Sequence, residues 1–148
     1  MKKIVCLLLV LCLGLVGCGR NEYGIFTKET YNTLSEHEKE EIERLHSTLK
    51  DTIEEINNGN YKEASNIICL DIRTETWRKG WQLEFLEIVN ALMGAFVSTF
   101  TEDIEAYDYE EKLNDLRPYL NKAAINNIKV KDKNLQEYRE YRWSTNVF

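Results

Sequence analysis

Among its 148 residues this chain has two histidines, one proline and seven glycines. So little proline and glycine leaves no room for a long flexible linker or a low-complexity tract. No internal repeat is present either. His37 and His46 are the whole histidine supply. On one helix of 3.6 residues per turn they point to opposite sides, so they do not share a metal. Neither has a thiolate partner at zinc-site spacing. Asp132-Lys133-Asn134 begins as a calcium loop does, but the later ligands and the glycine are missing. There is no phosphate-binding loop, dinucleotide fingerprint or nucleophile elbow. The pattern therefore argues for no enzyme and implies no metal or diffusible cofactor. Positive charge is also short. Nineteen Lys and Arg against 25 Asp and Glu give a net charge of −6. That disfavours a nucleic-acid partner, because phosphate contacts need clustered Lys and Arg.

Long apolar runs are missing too. The uncharged stretches at residues 4–16 and 88–100 are each 13 residues long, whereas a membrane-spanning helix needs about 20. The first run follows the basic start Met1-Lys2-Lys3, which gives it the length and flanks of a signal-peptide core. It ends on Leu15-Val16-Gly17-Cys18.

This ending resembles the lipobox of bacterial lipoproteins: an aliphatic residue, a tolerant position, a small residue and then cysteine. In that family the thiol receives a diacylglyceryl group, and a dedicated peptidase cuts before the cysteine. Many members then gain a further acyl chain on the new amine. The resemblance implies that residues 1–17 are a cleaved signal peptide and that Cys18 begins the mature chain as its lipidation site. The covalent lipid would be its only attached group. It also implies residence on the outer face of the bacterial cytoplasmic membrane. In a cell with two membranes, Gly19 leaves onward sorting to the outer membrane open. The chemistry suits a thiolate, which is a good nucleophile for thioether formation. Burial of acyl chain contributes about 0.8 kcal/mol per CH₂, so two chains hold a protein stably where one is marginal. The competing reading is an ordinary signal peptide or uncleaved anchor in which Cys18 is incidental. Cys6 and Cys12 lie within the apolar core. Cys69, between Ile68 and Leu70, reads as a buried apolar residue, although a leftover cysteine also suits pairing between chains.

The mature chain reads as mainly α, a small bundle of four to five helices. Residues 18–34 form the lipidated cysteine and a tether, and residues 35–148 the helical domain. Sixteen flexible tether residues span roughly 20–25 Å as a random coil; alternatively, the aromatics Tyr23, Phe26 and Tyr31 dock on the domain or dip into the membrane interface. Ser35-Glu36-His37-Glu38 reads as a capping box. Ile42, Leu45, Leu49, Ile53 and Ile56 follow on one helix face, and Gly59 is placed to close that helix. Tyr61, Ala64 and Ile68 restart the helical spacing. Trp77, Trp81, Phe85, Ile88, Leu92 and Phe96 form a stripe on a third, central helix. Ala91, Gly94, Ala95 and Ser98 give it a small-residue side for close approach of another helix. Pro118 reads as starting or kinking a helix. Residues 123–131 read equally as a helix end or a short strand. Asp132 is placed to cap a last helix.

Charge is uneven. Residues 102–115 carry seven acids and one base, and residues 117–142 carry seven bases and three acids. At the end of the second segment and just beyond it, Tyr138, Arg139, Tyr141, Arg142 and Trp143 have the composition of an interface hot spot. They form the candidate contact for a protein partner in the envelope. The functional expectation is a lipid-anchored binding or interaction module, an accessory or immunity-like protein. The alternatives are a carrier of a small apolar ligand around Trp77 and Trp81, or an envelope hydrolase.

Overall fold

The computed structural model describes residues 21–69, 80–101 and 108–145. Seven helices are present among them: α1 (Lys28–Thr33), α2 (Glu36–Asn57), α3 (Tyr61–Cys69), α4 (Leu83–Ser98), α5 (Tyr109–Leu116), α6 (Lys122–Asn127) and α7 (Asp132–Thr145). The fold is mainly α, as the periodicity implied. The helices beyond the expected four to five are α1 and α6. Each is six residues long, too short for a 3.6-residue period to register.

Helix α2 is the spine. Its capping box is complete: the Ser35 hydroxyl accepts the Glu38 amide, and the Glu38 carboxylate accepts the Ser35 amide. Ile42, Leu45, Leu49, Ile53 and Ile56 are fully buried along its inner face. It ends in a Schellman motif. The Asn60 amide reaches the Glu55 carbonyl, and the Gly59 amide reaches the Ile56 carbonyl. Gly59 stands at φ 80°, the left-handed conformation that this cap requires. The chain then reverses, and α3 packs back against α2.

Helix α4 is the central apolar helix, packed against both α2 and α5. Phe85, Ile88, Leu92, Ala95 and Phe96 have no exposed surface. Its small-residue side receives α5. A Cβ on Gly94 would stand 2.7 Å from the Lys112 Cδ, so the lysine stem lies on the glycine. The helix starts later than the aromatic stripe suggested. Gly80 is at φ 105°, and Gln82 is an extended N-cap. Trp81 therefore precedes the helix, and Trp77 lies outside the described residues. Pro118 neither starts nor kinks a helix. It sits in the exposed turn just after α5.

Two further segments had open readings. The first is the tether. Residues 21–34 are folded onto the domain, with Phe26 1% exposed and Leu34 buried. The Thr27 amide donates to the Tyr119 carbonyl at 2.9 Å, and the Asn121 amide donates to the Ile25 carbonyl at 2.9 Å. These bonds make a single antiparallel bridge between Phe26 and Leu120. Apolar side chains at 25, 26 and 34 outweigh the polar residues around them, so the segment folds down. The second is residues 123–131. They divide into α6 and a short connection in which Ile128 and Val130 are buried and Lys129 is exposed. That alternation is strand-like, but the partner is one side chain. Asn57 donates Nδ2 to the Lys129 carbonyl at 3.1 Å and accepts the Lys131 amide on Oδ1 at 2.9 Å. Asp132 is the first residue of α7 rather than its cap, a position where the helix dipole favours a carboxylate.

Candidate functional site

The candidate contact lies on α7, which packs on α2 and α3. Its five residues divide by depth. Tyr138 has no exposed surface, Arg139 and Arg142 are buried, Tyr141 is half-buried, and Trp143 is 74% exposed. Tyr138 and Arg142 meet, as the Arg142 Nη1 donates to the Tyr138 hydroxyl at 3.2 Å. The same hydroxyl accepts Ser65 Oγ from α3 at 3.3 Å. The Arg142 guanidinium also lies over the Phe100 ring, 4.0 Å from its centroid. Arg139 donates Nη2 to the carbonyl of Ser98, the last residue of α4.

That last bond has a clear physical role. The final carbonyls of a helix lack intrahelical partners and carry the negative end of its dipole. Helix α4 has no basic residue in its own last turn. Arg139 supplies the missing cation and donor from a different helix. The two arginines therefore face inward and fasten α7 to the end of α4. Trp143 and the outer edge of Tyr141 are what the segment offers outward. Beside them, Tyr61 donates to the Glu137 carboxylate at 2.6 Å, and the Tyr61 ring lies about 6 Å from both Tyr138 and Tyr141. Burial raises the Tyr61 phenol above its ordinary range, and its bond to Glu137 raises it further.

The two histidines come to different ends. His37 stacks on Trp81 at 5.6 Å between ring centroids, and Trp81 stacks on Phe85 at 4.3 Å. His46 is buried, with Nε2 3.0 Å from the Ala124 carbonyl. Burial pulls its pKa below the ordinary imidazole value, despite the bond to Ala124. Among the described residues no group of three or more His, Cys, Asp or Glu is arranged to hold a metal.

Two surface clefts lie away from α7's exposed tip. One, of about 220 Å³, is lined by Asp108, Glu110, Asp132 and Arg139 together with the apolar Tyr109, Val130 and Leu135. The other, of about 440 Å³, runs between α4 and α5 and is bordered by Glu87, Asn90, Asn114 and Tyr119. There the Tyr119 hydroxyl donates to the Glu87 carboxylate. That bond, with help from burial and nearby carboxylates, pushes the phenol up to about 12. A phenol this hard to ionise is a poor general base at neutral pH. Glu87 and Tyr119 are far apart in sequence, and no spacing pattern points to their pairing. The same holds for Arg139 and Ser98.

Among the described residues no helix is long and apolar enough to cross a membrane. Cys18 lies outside the described residues, and so does the Cys69 side chain. No protein family matches the chain, and neither a curated protein nor a solved structure does.

Proposed function

We propose that this protein is a bacterial lipoprotein whose helical domain works by contact with a protein partner. Its place is the outer face of the cytoplasmic membrane, held by lipid on Cys18. One observation carries the reading. A basic start, a 13-residue apolar run and Leu15-Val16-Gly17-Cys18 stand in the order that lipidation requires. The domain adds support for a contact role. One large aromatic, Trp143, projects from the end of α7 at 74% exposure. Aromatic residues of this kind anchor protein interfaces. The carrier reading has less behind it, because the Trp81 ring is taken up in stacking with His37 and Phe85.

The test has two stages. Cells expressing the full chain are fed labelled palmitate. The wild type takes up label, and Cys18→Ser takes up none and keeps its leader. Label in the mutant, or none in the wild type, ends the lipoprotein reading. A photocrosslinking residue is then placed at Trp143 and, as a control, at Lys62 on α3. A discrete adduct from position 143 alone supports the contact role. No adduct at 143, or the same adducts from both positions, overturns it.

A further inference from the structure

The N-terminal turn is docked where a tether was expected, and that docking limits how far the domain can stand from its anchor. Phe26 is buried, and main-chain bonds join Ile25 and Thr27 to Asn121 and Tyr119. The Asn121 side chain donates to the Gly24 carbonyl at 2.7 Å, and the Asn21 side chain donates to the same oxygen at 2.7 Å. Tyr23 packs edge-on against Tyr31 at 5.5 Å. This docked segment reaches back to Asn21, three residue steps after Cys18. Extended chain covers at most about 3.5 Å per residue, so the two α-carbons lie within about 11 Å of each other. A free tether through residue 34 would have allowed roughly twice that distance on average.

We propose that the lipid on Cys18 holds one particular side of the domain against the headgroups. That side is the turn at Asn21 to Gly24, with Lys122 beside it at the start of α6. This rests on the lipoprotein reading above. The turn abuts α2 at Glu43, whose Oε1 would lie 3.0 Å from a Cβ on Gly24. The α2–α3 turn is 15 residues further along the same helix, about 22 Å away at 1.5 Å per residue. In the proposed orientation that turn lies on the side away from the headgroups, where a partner can reach it. Membrane orientation is then built into the fold by a short leash and a docked segment, with no need for an amphipathic surface.

The experiment uses the full chain, processed in cells and studied in vesicles of their membrane lipid. Cys69→Ser removes the second thiol of the mature chain. A fluorophore is then attached at Lys122→Cys or at Lys62→Cys, both exposed positions. The quencher is a headgroup-labelled paramagnetic lipid. The label at 122 is expected to be quenched several-fold more than the label at 62. A Gly-Ser insertion of about ten residues after Arg20 lengthens the leash by roughly 17 Å and should remove most of that difference. Equal quenching at the two sites, or a difference that survives the insertion, overturns the proposal. Palmitate labelling of the same samples separates the two readings. Labelled protein with equal quenching defeats the orientation alone, whereas unlabelled protein defeats the anchor and the orientation together.

Discussion

Glu38 Oε1 accepts the backbone amide of Gln82 at 2.9 Å, while Oε2 of the same carboxylate holds the capping box of α2. One side chain therefore fastens the starts of two helices that are 44 residues apart in sequence. Gln82 makes no side-chain cap of its own, so α4 relies on this neighbour. Glu38→Ala is expected to cost about 2 kcal/mol, one cap and one charge-assisted bond. Glu38→Gln keeps an acceptor and should cost less. Urea unfolding of both variants checks the order; equal losses would show that a neutral acceptor rescues nothing, and no loss in Glu38→Gln would show that the charge contributes nothing.

Acid should destabilise the domain through two groups. Burial would raise the Glu38 carboxyl, but the Gln82 and Ser35 amides and the Ser35 hydroxyl, with His37 nearby, outweigh it and hold it below the usual value of 4.5. His46 is likewise held below its usual 6.5, by burial. For a group whose folded pKa is depressed, the unfolded chain binds the proton first. Its stabilisation is full above the unfolded value and is lost as pH falls toward the folded one. The urea midpoint should therefore start to fall as pH drops through about 6.5, and fall further below about 4.5. In His46→Gln the upper part of that decline should disappear. A midpoint that is flat from pH 7 to 5 in the wild type would contradict the burial of His46.

Arg139 and Arg142 should behave as structural residues. Arg139→Ala removes the donor to the Ser98 carbonyl and is expected to cost about 2 kcal/mol. Arg142→Ala strips the cation from Phe100 and the donor from Tyr138, with a cost of about 1 kcal/mol. The double variant should melt at a clearly lower temperature. Trp143→Ala, at an exposed site, should move the melting temperature little. If instead the double arginine variant melts like the wild type and loses the crosslinked partner, the contact surface extends over both arginines.

Asn57 replaces a strand. Its amide satisfies the Lys129 carbonyl and the Lys131 amide together. Asn57→Asp keeps the shape but sets a carboxylate oxygen against the Lys129 carbonyl. A loss of about 2 kcal/mol is expected, with the urea m-value unchanged. Asn57→Ala should lose a similar amount. A neutral Asn57→Asp would mean that water serves these groups equally well.

The docked N-terminal turn predicts protection. Phe26→Ala empties a fully enclosed site and should cost about 3–5 kcal/mol. Limited proteolysis should spare residues 21–34 in the wild type and cut them early in Phe26→Ala. Early cutting in the wild type would restore the tether.

The sequence by itself determined the elements whose physics is local. The Ser35–Glu38 box and the Gly59 cap are contacts within one turn, so they are legible as short spacings. The α2 stripe at Ile42 to Ile56 and the buried face of α4 follow from a single helix period. The lipobox-like stretch Leu15 to Cys18, on which the proposed lipidation rests, is likewise four consecutive residues. Tertiary structure alone decided what depends on a partner distant in the chain. Phe26 becomes core because residues 119–121 offer it a wall and a pair of main-chain bonds. The segment after α6 stays out of a sheet because Asn57 happens to face it. Arg139 and Arg142 have hot-spot composition, yet they turn inward because the end of α4 presents an unpaired carbonyl and a ring at that place. Composition states what a side chain can bind, and the packing of the other helices settles whether it binds a partner or its own fold.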